Sequence, residues 1–328
     1  MLNAIDYAKR SVYLEMYIFE ENGSDYDFVS ALERKARQGL RVIVILDALG
    51  SMRLDHSVRE RLIAAGVEVM FYSYWLHRTH RKMLIVDEHV AFVGGVNIGA
   101  RFKDWNDLVV RVSGRVARSV THSFVRAYRA CGGTDEHLTA RAKETPYRRT
   151  RTWFYEHGLL GKRFTLREEY KQCVDSAGKS VVIVTPYFVP SKWLLAALGR
   201  ACKRGVQVDV LVPVRPDHAF FSWINTYYAA MLVQLGARFY LHPSMNHAKA
   251  LLIDERLGLV GSQNIDALSF ARNAEAGVFF EGVTRVQALK CVINRWRSQS
   301  VLFRVEEHRV RWYDRVLALL VTLARPML

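Results

Sequence analysis

The chain has 328 residues, half of them hydrophobic and 12% aromatic, so it can bury a sizeable core and is not expected to be disordered. The formal net charge of +15 indicates a polyanionic partner, either nucleic acid or the anionic face of a membrane, and charge alone does not separate the two. Four scattered cysteines show neither CxxC nor a Cys/His metal spacing, which favours a reducing compartment.

The two ends of the chain carry no pattern typical of a membrane crossing. The N-terminal stretch "MLNAIDYAKRS" lacks the basic-then-apolar order of a signal peptide. The longest apolar stretch near either end is "VLALLVTLA", residues 316–324, which is well short of the roughly 18 to 20 residues that a spanning helix needs. We therefore expect a chain that does not cross a membrane.

Taken in chain order, the predicted elements occur twice. The first half is predicted as strand, helix, strand, helix, strand and then a motif strand, from the stretches "SVYLEMYIF", "FVSALERKARQ", "LRVIVILD", "GVEVMFY" and "HRKMLIVDEHVAFVGGVN". The second half repeats this order about 167 residues later, in "SVVIVTPYF", "WLLAALGRACKR", "VQVDVLVP", "GARFYLH" and "HAKALLIDERLGLVGSQN". Alternating strands and helices predict α/β layers, with helices packed on a largely parallel or mixed sheet.

The repeat also predicts the domain organisation. We expect two duplicated α/β/α-layered halves, residues 1–131 and 167–328, packed as a pseudo-dimer with one active site between them. Residues 132–166 form the connection, whose "RRTRTWFYEHGLLGKRF" is either a packed linker or a segment that faces lipid or phosphate. The C-terminal "RWYDRVLALLVTLARPML" is either an interfacial anchor or a terminal helix docked on the core.

Each half carries a His-x-Lys pair, His80 with Lys82 and His247 with Lys249. Residues two apart share a face of a strand, so each pair sets a titratable nucleophile beside a positive charge. Displacement at a phosphodiester needs one group that attacks phosphorus, one that protonates the leaving alcohol, and cations that stabilise the equatorial oxygens. One such pair arises easily by chance, but its recurrence in register does not. Two facing motifs would complete the chemistry that one motif begins.

Four carboxylates accompany the histidines, and their positions predict two different roles. Asp87 and Asp254 lie seven residues beyond their histidines, on the opposite face of a continuing strand, and are expected to fix the turn or the interface between the halves. Asp107 and Glu275 stand 27 and 28 residues after their histidines, each opening an apolar strand that could pair beside the motif strand. A carboxylate there would set the imidazole tautomer, and the alternative is a solvated carboxylate at a strand start.

The motif strands end in small and amide residues with matched spacing. These are expected to allow close backbone approach to a phosphate and to supply neutral hydrogen-bond donors. They are Gly94, Gly95 and Asn97 in the first half, and Gly261, Ser262 and Asn264 in the second. Because the lysines supply the positive charge and no carboxylate cluster has ligand spacing, we predict that neither a metal nor another cofactor is needed.

The doubled HxKxxxxD motif, with GGxN or GSxN, resembles the phospholipase D superfamily over nearly the whole chain. The phrases "LEMYIF", "ILDALGS", "TPYFVP", "HAKALLID" and "GSQNIDALSFARNAE" are similar to bacterial cardiolipin synthases of the type without N-terminal membrane spans. The resemblance implies two phospholipase D-like halves and transfer of a phosphatidyl group between two phosphatidylglycerols through a phosphohistidine. The catalytic residues that it implies are His80, Lys82, Asp87, His247, Lys249 and Asp254. It makes His80 the nucleophile and His247 the acid and base.

The resemblance further implies a monomer that acts on phosphatidylglycerol, bound peripherally to the bacterial inner (cytoplasmic) membrane, and nucleic acid is not expected as a partner. Two departures stand out. Leu268 precedes Ser269, where the family's "DxRS" block often carries arginine. The chain also begins almost at its first strand. We therefore expect that an N-terminal piece is missing and that activity depends on it. The alternatives are a phospholipase D-type hydrolase, a phosphodiesterase or nuclease, and a non-catalytic membrane binder.

Overall fold

The computed structural model describes residues 1–21, 26–73, 78–140, 151–158, 165–266, 269–270 and 272–305. The predictions for Leu268 and for the C-terminal segment around residues 316–324 lie outside these ranges, as do residues 141–150 and 159–164 of the connection. Across the ranges given, the helices are all too short or too polar to span a bilayer.

The first half is built on a six-stranded mixed sheet with the order β3-β2-β1-β4-β5-β6. Its strands are β1 Ser11–Met16, β2 Arg41–Asp47, β3 Glu68–Tyr72, β4 Met83–Val86, β5 Val90–Gly94 and β6 Val109–Ser113. Its helices are α1 Leu2–Asp6, α2 Phe28–Arg37, α3 His56–Ala64, α4 Arg115–Ala130 and α5 Glu136–Ala140, with a 3-10 turn at Ala100–Phe102. Strands β1, β2 and β3 are parallel to one another, whereas the pairs β1/β4, β4/β5 and β5/β6 are each antiparallel.

The second half is built on an eight-stranded sheet with the order β14-β10-β9-β8-β11-β12-β13-β7. Its strands are β7 Thr152–His157, β8 Ser180–Val184, β9 Gln207–Pro213, β10 Arg238–His242, β11 Ala250–Ile253, β12 Leu257–Gly261, β13 Glu275–Glu281 and β14 Val301–Leu302. Its helices are α6 Thr165–Asp175, α7 Lys192–Lys203, α8 Ala219–Val233 and α9 Val283–Ser298. The six central strands repeat the order and directions of the first sheet, so the predicted α/β duplication is confirmed.

The helix boundaries follow from local sequence. The Asp27 carboxylate accepts the backbone N–H of Ser30 at 2.8 Å and so caps the N-terminus of α2. Gly39 and Gly205 follow the ends of α2 and α7 with φ of 84° and 80°, a left-handed conformation that glycine adopts with least strain. These are the two glycine stops that the sequence predicts, and each lets the chain turn into the next parallel strand.

The described part of the predicted connection is a packed strand. Strand β7 pairs antiparallel with β13 along its whole length, and Trp153 and Phe154 are buried. The ring of Trp153 stacks on Phe279 with centroids 5.6 Å apart. Residues 152–157 therefore extend the second sheet, which favours the packed-linker interpretation for this portion of the connection.

The two halves share a continuous hydrophobic core. One cluster of buried side chains joins Tyr13 and Phe124 of the first half to Val184 and Leu252 of the second. Beside it, the backbones of the two halves form short parallel bridges at Thr79 with Ala274 and at Asn106 with Asn246. The predicted pseudo-dimer is therefore held by apolar burial and by backbone hydrogen bonds that run next to the motif histidines.

One part of this interface breaks the internal symmetry. In the first half it holds the ion pair of Glu15 and Arg81, both completely buried, with hydrogen bonds of 2.9 Å and 2.8 Å between them. Arg81 also donates to Glu156 of β7 at 3.0 Å. The equivalent positions of the second half are Val184 and Ala248, both buried and apolar. The duplication thus carries a charged cluster on the His80 side alone.

Candidate active site

Both motif histidines lie in extended segments just before their strands. Strand β4 begins at Met83 and β11 at Ala250, so the expectation that the His-x-Lys pairs sit inside strands is wrong. The reason is that these backbone segments bond to the other half of the chain. The N–H of His80 donates to the carbonyl oxygen of Ala274 at 2.9 Å, and that of His247 donates to Asn106 at 2.7 Å.

The carboxylates that hold the imidazoles cross between the halves. Nδ1 of His80 lies 2.9 Å from Oε1 of Glu275, and Nδ1 of His247 lies 2.7 Å from Oδ2 of Asp107. The sequence analysis expected each carboxylate to open a strand beside its motif strand, and the pairing of β6 with β5 and of β13 with β12 agrees with this. It assigned each carboxylate to the histidine of its own half, and that assignment is wrong. Each imidazole therefore depends on both halves for its orientation.

This arrangement sets the tautomer of both histidines. With Nδ1 facing an ionised carboxylate, the neutral imidazole carries its proton on Nδ1, and Nε2 is left with its lone pair. Burial lowers the pKa of His80 to about 4, and Lys82 adds to this effect, although Glu275 opposes it. Burial also lowers the pKa of His247 to about 4, helped by Lys249 and opposed by Asp107. Both imidazoles are neutral near pH 7, the form required of a nucleophile.

The motif lysines are buried beside the histidines, each only 3% exposed. Nζ of Lys82 donates to the backbone oxygen of His80 at 2.7 Å, and Lys249 makes the equivalent bond to His247. Burial lowers the pKa of Lys82 well below its usual range, and Lys249 lowers it further. Burial lowers the pKa of Lys249 to about 8 against the opposing effect of Asp107. An anion bound beside these two buried lysines would stabilise their charged form.

The carboxylates of Glu275 and Asp107 differ in the residue at the end of the neighbouring motif strand. Burial tends to raise the pKa of Glu275, but His80, Lys82 and the Ser262 hydroxyl outweigh burial, so the pKa is lowered and the carboxylate is ionised. Ser262 donates to Glu275 and accepts the backbone N–H of Ala276 at 3.0 Å. In the first half Gly95 takes the place of Ser262.

Close approach of the neighbouring chain segment requires glycine at the ends of the motif strands. A Cβ atom on Gly95 would lie 2.2 Å from the Asp107 carboxylate, and one on Gly94 would lie 2.1 Å from the backbone oxygen of Leu108. A Cβ on Gly261 would lie 2.5 Å from the oxygen of Ala276. The absent side chains thus make room for the strands that bring in the carboxylates, a use that the sequence analysis, which invoked phosphate approach, missed.

The amide residues that follow the glycines have unused hydrogen-bonding capacity. Asn97 and Asn264 are each 6% exposed, and the side-chain oxygen of each has no partner among the described residues. Buried polar atoms are nearly always paired in folded proteins, so such atoms beside reactive groups mark a place for a ligand. Asn97 and His247 line the same cavity.

Asp87 and Asp254 fix backbone turns. The carboxylate of Asp87 accepts backbone N–H groups from residues 9–11, and Asp254 accepts the equivalent three from residues 178–180. Each aspartate has a positive φ, 52° and 51°, at the turn after its motif strand. The partners of each lie in its own half and mark the start of β1 or β8, so the geometry gives these residues a turn-fixing place. This agrees with the turn-fixing role expected from their positions, and the catalytic role that the resemblance implies for them stays a prediction.

Several residues around the site were missed from the sequence. The ring of Tyr17 packs edge-on against His80 with centroids 4.6 Å apart, and Trp105 lies 5.2 Å from His247. Asp47 accepts the N–H of Thr79 at 2.9 Å. Burial raises the pKa of Asp266 to about 6. The signal for Tyr17 and Asp47 was their position at the carboxyl ends of β1 and β2, the edge where α/β proteins place their sites.

The described residues include no group of three or more His, Cys, Asp or Glu side chains that could hold a metal ion. What they bring together is two neutral imidazoles, two buried lysines and two crossed carboxylates. This set can attack a phosphodiester, protonate a leaving alcohol and stabilise the charge that develops on the phosphoryl oxygens. A duplicated α/β fold that shares such a site between its halves defines the chain as a phospholipase D-type protein.

Comparison with known families makes this assignment specific. The family model described as "Cardiolipin synthase, PLD-like domain" matches residues 1–127 and 170–296. The chain belongs to this family, and with it to the phosphatidyltransferases of the phospholipase D superfamily.

Individual relatives agree with the family. The major cardiolipin synthase ClsA of Bacillus subtilis is 29% identical over 345 residues, an alignment that covers 95% of this chain and 69% of the relative. A cardiolipin synthase of Oceanobacillus iheyensis is 30% identical over 312 residues, which cover 88% of this chain and 64% of the relative.

Solved structures show the same fold. The phosphatidylserine synthase of Haemophilus influenzae superposes with a TM-score of 0.73 at 13% identity, over 99% of this chain and 90% of that one. The polyphosphate kinase of Porphyromonas gingivalis gives a TM-score of 0.63 at 13% identity, over 99% of this chain and 50% of that one.

Proposed function

We propose that this chain is a cardiolipin synthase that transfers a phosphatidyl group from one phosphatidylglycerol to a second, through a phosphohistidine on His80, and releases glycerol. The observation that carries the proposal is the crossed geometry, in which each imidazole is oriented by a carboxylate of the other half. With Nδ1 held by a carboxylate, Nε2 of each imidazole is left for the substrate, and Lys82 and Lys249 are both close enough to lower the pKa of both imidazoles. Membership in a cardiolipin synthase family supports a phospholipid as the substrate.

In the first step, Nε2 of His80 attacks the phosphorus of phosphatidylglycerol. The N–P bond forms, the bond from phosphorus to the glycerol headgroup oxygen breaks, and His247 gives that oxygen the proton on its own Nε2. Glu275 stabilises the positive imidazole ring of the phosphohistidine through Nδ1–H. The lysines balance the charge on the two non-bridging oxygens.

His247 must carry a second proton to act as the acid, although its pKa in the empty site is lowered to about 4. The phosphodiester brings a negative charge next to a site that already contains two buried lysines. A nearby opposite charge favours the protonated form, so substrate binding raises the pKa of His247 and of both lysines. Binding of the substrate therefore favours the protonated form of His247 that acts as the acid.

In the second step, the primary hydroxyl of another phosphatidylglycerol attacks the phosphohistidine. The O–P bond forms, the N–P bond to His80 breaks, and His247 accepts the hydroxyl proton. Water in place of this lipid would give phosphatidic acid, the product of the hydrolase alternative. The proposed reaction therefore requires that the lipid alcohol compete successfully with water.

The proposal includes where the protein acts. The net charge of +15 suits attachment to an anionic lipid surface, and we place the protein peripherally on the bacterial inner membrane, as a monomer with an internal pseudo-dimer. Neither nucleic acid nor a metal takes part in the proposed reaction.

Purified protein incubated with phosphatidylglycerol vesicles tests the reaction. Cardiolipin and glycerol should form in equal amounts, with or without a chelator, and lipid analysis by mass spectrometry measures both. Phosphatidic acid without cardiolipin would support the hydrolase. Cleavage of single-stranded DNA without lipid turnover would support the nuclease, and loss of turnover on adding chelator would contradict the metal-free mechanism.

Glu275→Gln tests the crossed orientation. The substitution removes the charge that holds Nδ1–H of His80, so we expect the turnover of phosphatidylglycerol to fall by roughly 10²- to 10⁴-fold. Initial rates of cardiolipin formation provide the measurement. Glu281→Gln, at the last residue of the same strand, is the matched control and should keep the wild-type rate. A wild-type rate for Glu275→Gln would contradict an orienting role.

The pKa of Lys249 predicts an alkaline limit to activity. Because that pKa is lowered to about 8, the ammonium group loses its proton as pH rises through this value in the free enzyme. We expect kcat/KM to decline above about pH 8, because a neutral amine no longer stabilises the phosphoryl oxygens. In Lys249→Arg, whose guanidinium stays charged, the decline should disappear, even though the rate is lower. A wild-type kcat/KM that stays constant to about pH 10 would contradict this assignment.

A further inference from the structure

An open cavity of about 790 Å³ lies on the His247 side of the site. Its volume falls within the range of roughly 300 to 1,000 Å³ that is typical of small-molecule sites. His247 is the second half's contribution, and the remaining lining comes from the first half. His80 is not part of the lining. The cavity therefore leads from the proposed acid and base to the surface of the first half.

The lining changes character along the cavity. His247, Asp107 and Asn97 form its polar inner end. Phe102 and Trp105 form part of the wall, with their rings edge-to-face at 4.9 Å, and Trp105 lies 5.2 Å from the His247 ring. Both aromatic residues are partly exposed, so a ligand can cover more of their apolar surface.

The lining also includes one exposed cationic side chain, that of Lys103. Arg101 packs its guanidinium 4.6 Å from the centre of the Phe102 ring and pairs with Glu20 at 2.9 Å. A ligand that reaches from His247 to Lys103 would meet polar groups, then aromatic rings, then a cation.

We propose that this cavity binds the acceptor phospholipid, with its headgroup hydroxyl at Nε2 of His247, its glycerol carbons against Phe102 and Trp105, and its phosphate beside Lys103. This inference rests on the proposed function, and it adds the place of the second lipid. The incoming oxygen must approach phosphorus from the side opposite the N–P bond of phosphohistidine 80, which is the side of the acid and base.

The sequence of events agrees with this placement. The cavity first accommodates the leaving glycerol, which receives its proton from His247. Glycerol is small compared with 790 Å³, so its departure leaves room for a lipid headgroup whose hydroxyl takes the same position. That hydroxyl forms the O–P bond while the N–P bond breaks, and its proton passes to His247. Apolar walls next to His247 also disfavour water as the competing acceptor.

The test measures how the phosphatidyl group is divided between lipid and water. Phe102→Ala and Lys103→Ala are each incubated, as the full chain, with phosphatidylglycerol in mixed micelles of varied composition, and cardiolipin and phosphatidic acid are quantified by mass spectrometry. We expect the ratio of cardiolipin to phosphatidic acid to fall roughly tenfold in Phe102→Ala, because it loses wall contacts that only the acceptor makes. Phe102→Leu, which keeps an apolar wall, should recover most of the ratio.

Matched controls lie outside the cavity. Leu235→Ala removes a large apolar side chain that is 46% exposed, and Lys203→Ala removes an exposed lysine, both in the second half. Both should keep the wild-type ratio. Thermal denaturation shows whether Phe102→Ala is folded, and the exposed Lys103 carries the test if it is not.

Three results would overturn the inference. An unchanged product ratio in both cavity variants would mean that the acceptor binds elsewhere. An equal loss of both products, from a higher KM for the donor, would mean that the cavity holds the donor lipid. Wild-type protein that consumes no phosphatidylglycerol would remove the proposed function itself, and the acceptor site with it.

Discussion

His80→Asn is expected to lower phosphatidyl transfer by at least about 10⁴-fold, because it removes the atom that forms the covalent bond to phosphorus. Asparagine keeps a polar side chain of moderate size beside Glu275 but has no basic nitrogen. The measurement combines lipid analysis with intact-mass spectrometry of protein quenched in acid-free conditions during turnover. The wild-type protein should carry a phosphatidyl adduct that maps to His80, and the variant should carry none.

The control for this substitution is His89→Asn, an exposed histidine in the same half that lies in the turn after β4. It should keep the wild-type rate and the wild-type adduct. An adduct on His247 in the wild-type protein would reverse the two histidine roles while leaving the reaction intact. Undiminished cardiolipin formation by His80→Asn would contradict the proposed mechanism.

Arg81→Ala is expected to lower the free energy of unfolding by about 3 to 5 kcal/mol. The substitution leaves the Glu15 carboxylate without its charge partner at a position that is completely buried. Burial already raises the pKa of Glu15 despite the presence of Arg81, so loss of the guanidinium makes the ionised carboxylate still less favourable. The midpoint and slope of urea denaturation, followed by circular dichroism, provide the measurement.

The chain itself supplies the matched variant. Glu15→Val combined with Arg81→Ala copies the Val184 and Ala248 of the second half, where the same interface is apolar. Replacing a buried ion pair by apolar residues is often neutral, so the double variant should recover at least about half of the stability lost in Arg81→Ala. Glu156 retains its contact with Arg126 in both variants. A double variant less stable than Arg81→Ala would contradict this expectation. It would show that Glu15 stabilises the fold even without Arg81.

The sequence alone determined the duplication, the α/β class and the chemical groups of the site. These features depend on local patterns: period-two runs for strands, glycine after helices, and a motif that recurs 167 positions later at His247. It also indicated that Asp107 and Glu275 orient the imidazoles. Each of these carboxylates begins the strand that follows a motif strand, so it was expected to lie close to a motif histidine. Each of these inferences needs only the direction of a side chain and the order of elements.

The tertiary structure decided which carboxylate serves which histidine. His80 meets Glu275 at a sequence separation of 195, and His247 meets Asp107 at 140. Periodicity fixes the face of a strand, but it does not fix how two sheets are rotated against each other, and that rotation brings the start of β13 to His80. The same packing opens the cavity at His247. These features depend on the apolar burial between the halves, which a pattern along one chain does not encode.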